Sequence, residues 1–360
     1  MIKLKHRISA INPILIILFL LIPVLAISQD AMVLQDHQKY RKEVVENMQK
    51  VMGKLPKRSD LKHSDILVID SVIEQSFIRY NILFTVEKNE LLPLYLYIPI
   101  QRGTPKKLPA MLVLHETDPM GRKAVDGQGN KANRAHAREL AQRGYIVIAP
   151  DFPSFGDTED YNFETDRYKS GTMKGVFNHM RCVDLLQSRP DVDDNNIGVL
   201  GHSLGGHNSI FLAAIDERIK VVVSSCGWTQ FDYYNIGPMS EKKYGGRLGP
   251  WAQTRYMPLL KTKFNLDNNS IPFDFNLMIS AIAPRAFFSV SPTRDSNFDF
   301  KGVQEGIKLA EPIYRNLHSL DKLQVRYPDD EHDFPLESRK EAYNFIDKIL
   351  GHIPRFTEFR

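Results

Sequence analysis

From Pro105 onward, short unbroken apolar runs alternate with amphipathic stretches, and this alternation limits the fold more than any other feature of the chain. The runs are Ala110 to Leu114, Tyr145 to Ala149, Ile197 to Leu200, Ile219 to Ser224, Ala286 to Val290 and Leu323 to Arg326. They are too short for helices and lack the polar alternation of a half-exposed strand, as expected for strands covered on both faces of a mostly parallel sheet. Helical periodicity fills the gaps at about 132 to 143, 175 to 188, 206 to 216, 302 to 318 and 336 to 350. Strand and helix in strict turn imply a doubly wound α/β core.

Upstream, Phe77 to Ile82 and Leu94 to Ile98 lie in a β-rich stretch from Ile66 to Ile100 that reads as antiparallel strands opening the sheet. Tyr40, Val44, Val45, Met48 and Val51 form one apolar stripe over residues 31 to 52, a surface helix ended near Pro56. One segment breaks the alternation, from Trp228 to about Ser280, and reads as a lid or substrate wall. The expected organisation is a signal peptide at 1–28, a helical segment at 29–65, one α/β domain at 66–350 with the insertion at 228–280, and a tail at 351–360.

The signal peptide rests on Lys3, Lys5 and Arg7, an apolar run from Ile14 to Leu25, and a small-residue exit at Ala26-Ile27-Ser28. The run is short for a membrane span and no cysteine follows it, so a secreted or periplasmic protein without a stable membrane anchor is expected. Removing those three basic residues from 47 Lys and Arg, against 43 Asp and Glu, lowers the formal charge from +4 to +1. The basic balance therefore gives no argument for a nucleic-acid partner. Cys182 and Cys226 sit in no metal-binding spacing and read as two separately buried residues, with a disulfide between them as the alternative in an oxidising compartment.

Gly201-His202-Ser203-Leu204-Gly205-Gly206 falls directly between a strand and a helix. Glycines on both sides allow a tight, strained turn that lifts the Ser203 hydroxyl above the carboxyl ends of the strands. A serine hydroxyl is a poor nucleophile near neutrality, so it needs a base within hydrogen-bond reach and a third group to orient that base. His332 follows the last strand and is the candidate base. Asp295, just past the strand Ala286 to Val290, is the candidate acid, with Asp299 as the alternative. Asp329, Asp330 and Asp333 read as a solvated acidic loop, and His115 and His202 as packing residues. The backbone N–H of Leu204 is the expected first oxyanion donor, and that of Thr117, then Glu116, the second. The histidines are scattered without a metal-ligand pattern, and no phosphate loop or dinucleotide fingerprint occurs, so neither metal nor cofactor is expected.

Ala149-Pro150-Asp151-Phe152, the Gly201 to Gly206 turn, Ala283-Pro284-Arg285 and His332-Asp333-Phe334 together resemble the α/β-hydrolase superfamily, and more narrowly its dienelactone hydrolase and acetyl xylan esterase-like branch. The resemblance covers roughly residues 70 to 350. It implies Ser203, Asp295 and His332 as a triad and an ester hydrolase as the activity. Dienelactone hydrolases use cysteine, so the serine favours an esterase, with small esters on carbohydrates as the expected substrates. The alternative is a serine peptidase of the prolyl oligopeptidase type, for whose propeller the roughly 80 residues ahead of the parallel sheet are too few. Within the insertion, Trp228, Trp251 and Arg255 are the expected substrate contacts, among several tyrosines and basic residues that include Lys242, Lys243 and Arg247.

Overall fold

The computed structural model describes residues 13–58, 66–101, 103–104 and 106–355. Nine strands form one sheet in the order β1-β2-β3-β5-β4-β6-β7-β8-β9. β1 (Ile66–Ile73), β2 (Phe77–Glu87) and β3 (Glu90–Pro99) pair antiparallel, and β3 pairs antiparallel with β5 (Ile146–Pro150). β4 (Leu108–Leu114), β5, β6 (Val192–His202), β7 (Ile219–Ser225), β8 (Ala286–Val290) and β9 (Leu323–Arg326) run parallel. Each expected parallel strand is present within a few residues of its expected bounds.

The helices are α1 (Pro13–Met52), α2 (Arg122–Val125), α3 (His136–Arg143), α4 (Gly171–Ser188), α5 (Leu204–Ile215), α6 (Pro238–Tyr244), α7 (Leu259–Thr262), α8 (Phe275–Ile282), α9 (Phe300–Asn316) and α10 (Leu336–Leu350). Successive side chains on a strand point to opposite faces, so the central strands feed two cores. Met111, Val113, Leu200, Val223 and Phe288 pack under α3 and α10. Ala110, Leu112, Leu114, Val199 and Val222 face the other way, toward α1, α4, α5, α8 and α9.

α1 runs unbroken across Ser28, so the backbone does not mark the boundary expected there. The signal-peptide reading falls partly on residues 1–12, outside the described residues, as do 59–65 of the helical segment and 356–360 of the tail. Val44, Met48, Val51 and Met52 of α1 are buried. At about 1.5–3 kcal/mol for each fully buried side chain, this stripe explains why α1 docks on the domain. The Tyr40 hydroxyl donates to the Leu277 carbonyl of α8. Among the described residues no helix is long and apolar enough to cross a membrane. Cys182 and Cys226 are both free and buried.

Between β7 and β8 the described chain holds helices and short turns but no strand. Parallel strands all end on one side, so β6, β7, β8 and β9 deliver their carboxyl ends, and the loops that follow, to one edge of the sheet.

Candidate active site

Ser203 joins β6 to α5 with φ 54° and ψ −116°. A non-glycine residue held at positive φ costs on the order of 1–3 kcal/mol and persists only where its surroundings fix it. Here the Ser203 N–H donates to the Ser225 carbonyl at 2.8 Å. The flanking glycines are required by space, because a Cβ on Gly205 would lie 2.0 Å from the Leu114 carbonyl oxygen and one on Gly201 would lie 2.2 Å from Gly205. The strained turn aims the hydroxyl at His332.

The Ser203 Oγ lies 2.9 Å from His332 Nε2. On the far side of the ring, His332 Nδ1 lies 2.9 Å from Asp295 Oδ2. The Asp295 side chain is 1% exposed, and its Oδ1 accepts hydrogen bonds from the Asn297 and Phe298 N–H groups at 2.8 and 3.1 Å. A carboxylate held this way is aimed, and it presents the imidazole with Nδ1–H toward itself and the Nε2 lone pair toward serine. Asp299 does not enter the chain. It caps α9, accepting from the Lys301 N–H at 2.8 Å.

Leu204 is the first residue of α5, so its N–H has no carbonyl one turn back within the helix. Leu204 and Thr117 line a cavity of about 220 Å³ beside Ser203, with His207, Tyr234, Ile236, Tyr244, Pro250, Trp251, Gln253, Tyr256, Asn297 and Phe298. Among the described residues, no carboxylate or cationic side chain lines it. Behind the Thr117 loop, His115 Nδ1 lies 2.6 Å from the Glu116 carbonyl, and its Nε2 accepts from the Phe152 N–H at 2.9 Å. His115 therefore props the loop, and His202 packs beside His332 with ring centroids 5.1 Å apart.

The expected substrate contacts divide. Trp251 lines the cavity, and its indole Nε1 is buried without a hydrogen-bond partner, as is Nδ1 of the adjacent His207. The two rings are 4.7 Å apart. Burial lowers the His207 pKa to about 3, against a raising backbone hydrogen bond with Gly227, so the ring is neutral in ordinary buffers. Trp228 is instead a core residue, correcting the expectation that it meets substrate. It is 1% exposed, packs on Phe275 and Phe287, and donates from Nε1 to Ser289 Oγ at 3.0 Å. Arg255 also misses the cavity, because its guanidinium stacks 5.1 Å over the Phe155 ring. Arg247 is spent on the carbonyls of Phe231 and Tyr234.

Asp333 departs from its sequence reading as well. It is tied to Arg134 and Asn133 rather than solvated, and hydrogen bonds from both outweigh the upward push of burial to hold its carboxyl below the usual range. Sequence reasoning had no signal for His207 or Arg134, since nothing local marks a helical histidine or a loop arginine as facing the site.

A family profile described as glucuronyl esterase, fungi, matches residues 162–318, which span Ser203 and Asp295. A putative hydrolase, YtaP, from Bacillus subtilis (strain 168) is 25% identical over 313 residues, covering 84% of this chain and 97% of that one. The carbohydrate esterase MZ0003, from an unknown prokaryotic organism, is 26% identical over 208 residues, 53% of this chain and 46% of its own length. In structure, a putative acetyl xylan esterase from Bacteroides fragilis NCTC 9343 superposes with a TM-score of 0.63 at 16% identity, covering 86% of this chain and 83% of that one. With a strand-serine-helix turn at the edge of a mostly parallel sheet, the chain has the α/β-hydrolase fold, and the proteins it is similar to include carboxylic ester hydrolases.

Proposed function

We propose that the protein is an exported serine esterase that hydrolyses small esters on carbohydrates through an acyl-enzyme on Ser203. The observation that carries this reading is the continuous chain from Ser203 Oγ through His332 to the buried Asp295, opening on an uncharged aromatic cavity. In the reaction His332 Nε2 takes the serine proton as Oγ attacks the ester carbonyl. The developing oxyanion is met by the N–H of Leu204, with the Thr117 amide as the second donor. His332 then returns its proton to the leaving alcohol, and water, activated by the same ring, releases the acid. No step requires a metal or a cofactor.

The carbohydrate part rests on the cavity wall. Aromatic faces suit the apolar side of a sugar ring, and Tyr234, Tyr244, Trp251, Tyr256 and Phe298 supply them here. A cavity of about 220 Å³ suits a small group beside the serine. With no cation in the lining, recognition of a free uronate carboxylate has no support, whereas a neutral uronate ester fits. Export rests on the basic and apolar N-terminal pattern.

The test is a panel of acetylated sugars, methyl and feruloyl sugar esters, long-chain esters and short peptide amides. Turnover confined to the sugar esters is expected. Preference for long acyl chains overturns the carbohydrate reading, and preference for peptide amides supports a prolyl oligopeptidase-like peptidase instead.

A further inference from the structure

The base and the second oxyanion donor hang from strands that do not touch. His332 follows β9, Thr117 follows β4, and β6, β7 and β8 lie between them. At about 4.8 Å per strand, the strands themselves are on the order of 19 Å apart. The sheet spaces the two strands, but no ladder pairs them directly or reaches into the loops beyond their ends, although both loops must reach Ser203.

One buried side chain contacts both. Arg134, 8% exposed, lies just ahead of α3. Its Nε donates to Glu116 Oε1 at 3.1 Å, next to Thr117. Its Nη1 pairs with Asp333 Oδ1, and its Nη2 donates to the His332 carbonyl at 3.4 Å. The other Asp333 oxygen accepts from Asn133 Nδ2 at 2.6 Å. The same Nη1 also donates to the local carbonyls of Ala132 and Asn133, at 3.3 and 3.2 Å. A planar guanidinium presents five donors in a fixed fork, so it can transmit position between two loops where an ammonium would supply only charge.

We propose that Arg134 is a positioning residue that locks the His332 loop to the Glu116-Thr117 loop, and so fixes the distance between general base and oxyanion hole. This inference rests on the assignment of Ser203 and His332 made above. The lock lies outside the cavity, so it acts on turnover and not on substrate affinity. A displacement of about 1 Å in such a site can cost a hundredfold in rate.

The charged or titratable groups that face His332 are Asp295, Cys226 and His202, with Asp333 and Arg134 on the loop side, and Glu116 and Lys131 behind Arg134. Losing the guanidinium while keeping Asp333 leaves an uncompensated anion one residue from the base. That anion favours the imidazolium and moves the acid limb of activity to higher pH.

The experiment measures kcat, KM and pH profiles on an aryl acetate for Arg134→Lys, Arg134→Met, Glu116→Gln, Asp333→Asn and the Glu116→Gln/Asp333→Asn double variant. Rates are normalised to sites titrated with a fluorophosphonate, and melting temperatures are recorded alongside. Arg134→Lys is expected to lose about 10- to 100-fold in kcat with KM nearly unchanged and the acid limb in place, because charge is kept and the fork is lost. Arg134→Met is expected to lose at least as much and to shift the limb upward. The double variant is expected to lose less than the product of its single losses, because both break one lock. Should Arg134→Met not fold, the Lys substitution and the double-variant cycle still decide the matter. Normal kcat per titrated site with only a lower melting temperature, or strictly multiplicative losses, overturns the inference. Ser203→Ala runs in the same assay. If it retains turnover the esterase mechanism itself fails, whereas an inactive Ser203→Ala beside fully active Arg134 variants removes only the lock.

Discussion

The floor and the wall of the cavity are held by different forces. On the floor, backbone hydrogen bonds fix the groups proposed to react and their surroundings: the Ser203 N–H is bound by Ser225, the Cys226 N–H beside it by Val290, and Asp295 accepts two N–H groups of its own loop. In the wall, the segment between β7 and β8 adds extensive ring packing to hydrogen bonds such as those of Arg247 and Asp274. Trp251 alone meets His207, Phe231, Tyr234, Phe275 and Phe298 with centroids 4.7 to 6.2 Å apart. Backbone geometry tolerates little change, while ring packing can be exchanged one side chain at a time. Damage to the floor should therefore remove catalysis for every substrate, and change in the wall should redistribute catalysis among substrates.

The largest expected effect breaks the floor. Ser203→Ala should lower kcat by about a millionfold on all esters, since triad members act as a unit. Asp295→Asn follows, at about 10⁴-fold, because the amide favours the wrong histidine tautomer. Asp299→Asn, a change in a helix cap, should leave kcat within a few fold and cost at most about 1 kcal/mol of stability. Equal kinetic losses from the two aspartate variants would remove the distinction between a residue on the floor and one beside it.

In the wall, Trp251→Phe shrinks the ring face presented to the cavity. The ratio of kcat/KM on a sugar ester to that on an aryl acetate should fall roughly 2- to 12-fold, the value of an aromatic contact of about 0.5–1.5 kcal/mol. Trp228→Phe should leave that ratio unchanged and cost about 1–3 kcal/mol of stability by removing buried ring volume and the Nε1–H bond to Ser289 Oγ, which keeps Ser291 Oγ as a partner. If both tryptophans move the ratio equally, the cavity boundary drawn here is wrong.

The smallest effect sharpens the comparison through pH. Burial raises the Asp274 carboxyl to about 7, although the N–H groups of Phe231 and Phe275 donate to it and pull the other way. The unfolded chain ionises this group near its ordinary value of about 3.9. Between these values the folded state binds more proton, so the contribution of Asp274 is complete below about pH 4 and is lost as pH rises to about 7. Asp274→Asn should therefore gain roughly 2–4 °C in melting temperature on the parent between pH 4 and pH 8, read from paired thermal melts. A constant difference across that range would contradict the burial argument.

The floor was legible in the sequence because its signals are local and sit at strand ends: two glycines beside Ser203, an aspartate after β8, a histidine after β9. Asp295 and Asp299 are only four residues apart, and it took the turn after β8 to aim one at His332 and leave the other capping α9. The wall was legible only as a group. Composition placed aromatics and cations in one segment, but whether Trp228 or Trp251 meets the cavity depends on packing against β8 and α8, which no local pattern encodes. Arg134 and Asp333 were hidden for a related reason, since they are 199 residues apart and each reads alone as a solvated charge.

The central claim is that Ser203 carries the acyl group during turnover. Its most direct measurement is acid quenching during steady-state hydrolysis of a slowly deacylated aryl ester, followed by mass spectrometry of the intact protein and of the peptide containing residues 201–206. A covalent adduct of the acyl mass is expected on Ser203, absent in Ser203→Ala and enriched in His332→Ala that has been acylated with an activated ester. Turnover with no adduct, or with the acyl mass on another residue, would contradict it.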